Sequence, residues 1–269
     1  MMMRRFELFR IFGFPIRVDL SWLFILFLVT YSLAAGFFPA NHPGLPNTAY
    51  WAMGFVAAIG LFLSILFHEL SHSLVARHYK IKIDGITLFI FGGVAEMKEE
   101  SDSPKVEFLV AVMGPIASML LAALFIWLSR VTEAQGMNRG LILIFYYLGF
   151  MNAILAIFNL VPAFPLDGGR IFRSVLWALK KDYLWATKVA ALLGQIFGWV
   201  LVGFGIVSFF RGSAIGGIWY VLIGFFLKRA SQMSLQVVRI QGELEKIPLS
   251  EVTDSNFIQF SPRDRMVDV

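Results

Sequence analysis

"WAMGFVAAIGLFLSILFHELSHSLVAR", from Trp51 to Arg77, reads as one long helix whose second half changes character. Its first seventeen residues, Trp51 to Phe67, carry no charge, and His68, Glu69 and His72 then follow with no helix breaker between them. At 1.5 Å per residue the apolar part alone rises roughly 25 Å, most of the ~30 Å hydrocarbon core of a bilayer. Ionisable side chains inside such a span are expensive and by default mark function. This stretch therefore predicts both a membrane-spanning helix and a polar constellation built on it.

The whole chain agrees with that reading. Of 269 residues, 58% are hydrophobic, 16% aromatic and only 15% charged, against roughly 25% charged in soluble domains; mean hydropathy is +0.73. The expected fold is an all-α polytopic membrane protein with about six spans. They are placed at Ser21 to Phe38, Trp51 to Arg77, Val106 to Leu128, Leu141 to Leu160, Lys188 to Phe210 and the short Ile215 to Leu227. A net charge of +5 is distributed among loops instead of forming a stripe, so no nucleic-acid partner is expected. Twenty of the 23 Lys and Arg residues fall in the N-terminal arm, the second and fourth connections and the tail, and three in the alternate loops. The positive-inside rule then places both termini in the cytoplasm. The first twenty residues, with Arg4, Arg5, Arg10 and Arg17 among Phe and Leu, read as a cytoplasmic amphipathic lead-in and not a signal peptide.

In that topology the second and fourth spans run in the same direction. His68 and the segment "NLVPAFPLDGGR", Asn159 to Arg170, both arrive in the cytoplasmic half of the bilayer. Between the second and third spans, "IDGITLFIFGGVAEM", Ile83 to Met97, is β-branched and aromatic and then broken by Gly92 and Gly93, the pattern of a short strand or re-entrant hairpin. Glu99, Glu100 and Asp102 return it to water. Residues 1–230 form the membrane domain, and 231–269 a polar cytoplasmic linker and tail.

His68 and His72 stand four apart and share one helix face, so both imidazoles can grip one ion. Glu69 is rotated by about 100° from His68, suited to act on a water beside that ion. This is the H-E-x-x-H pattern of zinc hydrolases, whose catalytic metal takes three protein ligands and keeps a fourth position open. With no cysteine in the chain, the third ligand must be His, Asp or Glu. Asp167, after Pro162 and Pro165 and before Gly168 and Gly169, sits where irregular backbone can aim a carboxylate at a neighbouring helix; an ordinary N-cap of the following helix is the other reading of the same residue. His42 and His78 lie in the outer loop and at the cytoplasmic edge, and Gly194 and Gly198 form a small-xxx-small pair for helix packing.

"FHELSHSL", "FGGV", "GPIASM" and "NLVPAFPLDGGR" occur in the order and membrane placement of the site-2 protease family, the intramembrane zinc metalloproteases, which the chain resembles over roughly residues 13 to 230. The resemblance implies one Zn2+ per chain held by His68, His72 and Asp167, with Glu69 as general base. It implies a role for Asn159 beside the scissile carbonyl or the substrate backbone. It also implies that Gly92, Gly93 and Val94 line an extended substrate; an unwound transmembrane segment exposes its backbone and needs an edge to pair with. Ser118 stands where the family commonly has Asn, and no chemistry is assigned to it.

The implied activity is hydrolysis of peptide bonds within a single-span membrane protein, in the cell membrane. A metal-ion transporter using the same His and Asp residues is the rival, but the outer halves of the spans offer almost no further ligands for an ion to step along. The tail "IPLSEVTDSNFIQFSPRDRMVDV" resembles the opening of a CBS domain, which would bring an adenine nucleotide as partner only where the chain continues into that module.

Overall fold

The computed structural model describes residues 5–90, 92–97 and 101–244. In chain order the elements are strands β1 (Arg5–Ile11) and β2 (Phe14–Asp19); helix α1 (Leu20–Ser32), continued by a π-turn (Leu33–Phe37) into the short α2 (Phe38–Asn41); and α3 (Asn47–His78). Strands β3 (Ile83–Phe89) and β4 (Gly92–Met97) follow, then α4 (Pro104–Ala134), α5 (Arg139–Asn159), α6 (Asp167–Lys180), α7 (Tyr183–Phe210) and α8 (Ala214–Leu244).

Helix starts follow from local chemistry. Asp19, Asn138 and Asp182 each accept a backbone N–H from the first turn of α1, α5 and α7 at 2.8 to 2.9 Å, supplying the partner that an opening helix turn lacks. Ser103 does the same for α4, with Pro104 at the first helical position. Among the described residues, five helical stretches are long and apolar enough to cross a membrane: Leu20–Asn41, Asn47–His78, Pro104–Ala134, Arg139–Asn159 and Tyr183–Phe210. The expected sixth, Ile215 to Leu227, lies within α8, which continues as helix through Ser231 to Leu244. Residues 245–269, with the whole of the CBS-like stretch, are outside the described residues, as are Glu99 and Glu100.

The strand content differs from the expectation of an all-α fold with one hairpin. The Ile83 to Met97 hairpin forms as β3 and β4, but it belongs to a four-stranded sheet in the order β1-β2-β3-β4. The N-terminal lead-in supplies the other two strands. Phe12 and Gly13 both adopt positive φ, +49° and +85°, the turn geometry that matches strand twist in two-residue hairpins. β2 then pairs in parallel with β3, Ile16 opposite Ile86. The alternation that would have announced β1 is obscured by a register shift between Glu7 and Phe9.

The sheet packs on α3 through a buried cluster of Phe14, Ile16, Ile86, Leu66 and Leu70. A second cluster, with Phe38, Tyr50, Ala57, Tyr147 and Leu148, joins the first span, α3 and α5. Helical geometry does the rest. Leu66 and Leu70 each lie about 200° from His68 around α3, so one side of the helix meets the sheet while the other turns its histidines toward α4 and α6.

Candidate metal centre

Each candidate donor is placed by the helix that bears it. On α3, His68 and His72 lie one turn apart and are both 3% exposed. On the antiparallel α4, Val110, Gly114 and Ser118 recur every fourth residue and present one face to them. Ser118 Oγ lies 2.9 Å from His68 Nδ1, and the Val110 carbonyl 2.7 Å from His72 Nδ1. Gly114 lies between these contacts, so close that a Cβ there would stand 2.5 Å from His68 Nε2 and closer still to His72 Nε2. Asp167 opens α6. The N-cap position belongs to Leu166, without a side-chain cap, so the capping reading of Asp167 does not hold and its carboxylate is turned to the histidines instead.

The three side chains converge. His68 Nε2 is 3.0 Å from Asp167 Oδ2, His72 Nε2 is 3.3 Å from Asp167 Oδ1, and the two Nε2 atoms are 3.2 Å apart. Because the Val110 carbonyl can only accept, His72 carries its proton on Nδ1 and directs the Nε2 lone pair inward. Ser118 lets His68 do the same. Two imidazole lone pairs and a carboxylate then face one another across about 3 Å, which repels unless a cation sits between them.

Zinc fits this donor set. Ligands 2.0–2.1 Å from a tetrahedral centre lie roughly 3.3–3.4 Å from one another, close to the three separations found. Outer hydrogen bonds from Nδ1 to a carbonyl and a hydroxyl are the usual means of fixing the tautomer of a metal-bound histidine. Among the described residues these three form the only group of three or more potential metal ligands; His42 and His78 are not part of it.

A protein-family model described as peptidase family M50 matches residues 56–136 and 128–203. Zinc metalloprotease MJ0392 of Methanocaldococcus jannaschii is 32% identical over 257 residues, covering 95% of this chain and 68% of the relative. The chain belongs to peptidase family M50. Two further relatives named for zinc metalloproteases are sll0528 of Synechocystis sp., 35% identical over 91% of this chain and 64% of its own length, and Rip3 of Mycobacterium tuberculosis, 37% identical over 83% and 56%. The chain thus spans less than two thirds of either. The solved site-2 protease from M. jannaschii superimposes with a TM-score of 0.59 at 30% identity, covering 86% of this chain and 94% of that one. This M50 protein is an integral, multi-pass membrane protein with a zinc-binding donor set.

Glu69 stays outside the donor group and lies against β4: a Cβ on Gly93 would stand 2.7 Å from Glu69 Cγ and 3.2 Å from Ile65 Cγ2. Gly92 opens the strand with φ +131°, and Val94 is 44% exposed. β4 ends the sheet among the described residues, so its outer edge is unpaired there. Asn159 ends α5, half-buried and outside the donor group. Sequence reasoning missed Ser118, Val110 and Gly114. Their signal was the four-residue spacing on a helix that also carries the "GPIASM" motif.

Proposed function

We propose that this M50 protein is an intramembrane zinc endopeptidase that cleaves a single-span membrane protein within its transmembrane segment. The observation that carries the reading is the convergence of His68, His72 and Asp167 beside Glu69 and the edge of β4 that is unpaired among the described residues. A zinc ion held by these residues supplies Lewis-acid polarisation of a carbonyl and acidifies water. Glu69 then acts as general base, taking a proton from the attacking water and returning it to the leaving amine as the C–N bond breaks. The small side of Gly93 lets an extended substrate pass close to Glu69. Pairing with β4 at Gly92, Gly93 and Val94 replaces the helical hydrogen bonds that the substrate gives up on unwinding. Asn159, at the end of α5, is assigned to the substrate backbone or scissile carbonyl.

The placement of basic residues supports an orientation with both termini cytoplasmic and the site in the cytoplasmic half of a cell membrane. The apolar first half of α8 supports a sixth span, packed closely on α7 where Gly198 meets Gly224 and Gly205 meets Gly217.

The test is cleavage of a tagged single-span protein co-reconstituted with the enzyme in liposomes. Products with a new terminus inside the span, lost with Glu69→Gln and with zinc removal, are expected. Cleavage that persists in Glu69→Gln, or that falls only outside the span, would overturn the reading.

A further inference from the structure

Beyond the donor set, α4 and α6 are joined by a fully buried ion pair. Glu107 Oε1 accepts from Arg173 Nε at 2.7 Å and from Nη2 at 2.5 Å, with the two side chains 1% and 5% exposed. The Arg173 guanidinium lies over the rings of Phe164 and Tyr183, 4.9 and 4.8 Å from their centroids, and Nη1 is 3.5 Å from Thr187 Oγ1. Stability alone does not account for the pair. Desolvating two charges often cancels their attraction, and apolar replacements of the same volume are frequently as stable. Glu107 Oε2 adds to the cost, being buried without a hydrogen-bond partner among the described residues.

What the pair does account for is geometry. Arg173 follows Asp167 by six residues on α6, and Phe164 lies in the loop that leads into Asp167. Glu107 stands one turn before Val110 on α4, the helix whose Val110 and Ser118 orient both histidines. One guanidinium therefore fixes the aspartate-bearing helix and its leading loop against the helix that sets the imidazoles. Tyr183 and Thr187 hold the same group from α7.

Resting on the metal site proposed above, we infer that Glu107 and Arg173 are positioning residues that set the Asp167 carboxylate against His68 and His72. The test uses the full chain in detergent, with Glu107→Gln, Arg173→Lys and, as a remote destabilising control, Gly205→Ala, whose Cβ would stand 2.6 Å from the Gly217 carbonyl. Zinc affinity is measured by chelator competition, ligand geometry by the visible absorption of the Co2+-substituted protein, and thermal stability on the metal-free form.

Expected are about 10- to 100-fold weaker zinc binding and an altered cobalt spectrum in the first two variants. The control should melt earlier yet bind zinc as the wild type does. Wild-type zinc affinity with an unchanged cobalt spectrum in both pair variants, at whatever melting temperature, would make the pair merely structural and overturn the inference. Should Glu107→Gln not fold, Arg173→Lys, which keeps the charge but loses the two-pronged contact, decides alone. Failure of the wild type itself to bind zinc is a separate result that overturns the metal site and the inference with it.

Discussion

Replacing Gly114 with alanine adds one methyl group at the point of α4 closest to both imidazoles. The new Cβ would lie 2.5 Å from His68 Nε2 and nearer still to His72 Nε2, whereas nonbonded atoms settle at about 3.5 Å. The clash is relieved in one of two ways. If the rings retreat, each Nε2 moves by about 1 Å, several times the ±0.2 Å that a zinc–ligand distance tolerates. Four-ligand sites bind zinc with about 10–16 kcal/mol, hence roughly 3 kcal/mol or about 100-fold in affinity per ligand. If α4 retreats instead by about 1 Å, the 2.7 Å contact of Val110 with His72 and the 2.9 Å contact of Ser118 with His68 stretch beyond hydrogen-bond range. That route costs about 10- to 100-fold through lost ligand orientation. Either way Gly114→Ala should bind zinc at least about 10-fold more weakly than the wild type, and about 100-fold or more if the rings are the groups that move, measured by chelator competition on folded, monodisperse protein. Wild-type affinity in this variant would refute the placement of Gly114 against the ligands.

Ser118→Ala removes only the hydroxyl that faces His68 Nδ1 and should weaken zinc binding about 10- to 100-fold without unfolding the protein; an unchanged affinity would show that His68 is oriented by other means. Glu69→Gln should keep zinc at the wild-type level and lower the cleavage rate by about 10²- to 10⁴-fold, a split read by running metal analysis and the liposome assay on one preparation. Gly93→Val places branched carbon where even a Cβ would stand 2.7 Å from Glu69 Cγ. It should lower cleavage while leaving zinc bound, and loss of zinc instead would show that β4 supports the ligands and not Glu69.

The site was legible in the sequence to the extent that its chemistry resides in side-chain type. His and Asp are metal-ligating residue types whatever surrounds them, and an uncharged run before His68 made His68 and His72 hard to explain otherwise. The Val110 carbonyl was not legible, because every residue carries one and only the crossing of α3 and α4 selects it. Gly114 and Ser118 stand in the "GPIASM" motif, but nothing in the motif shows that they face the histidines until α3 and α4 are packed together. The Glu107–Arg173 pair joins residues 66 apart in the chain, with no local pattern to connect them. For the sheet, the β3–β4 hairpin was visible in its β-branched run and paired glycines, whereas β1 hid behind the irregularity at Leu8 and a mixture of Phe, Leu and Arg that also suits an interfacial helix. The Phe12–Gly13 turn between apolar stretches was the available clue.

The central claim is a three-donor zinc site with Glu69 outside it, and elemental analysis of the purified protein tests it most directly. About one zinc per chain is predicted for the wild type and for Glu69→Gln, with strong loss in His72→Ala and Asp167→Ala. Absence of zinc from the wild type after exposure to the metal, or a zinc content indifferent to His72 and Asp167, would contradict the account.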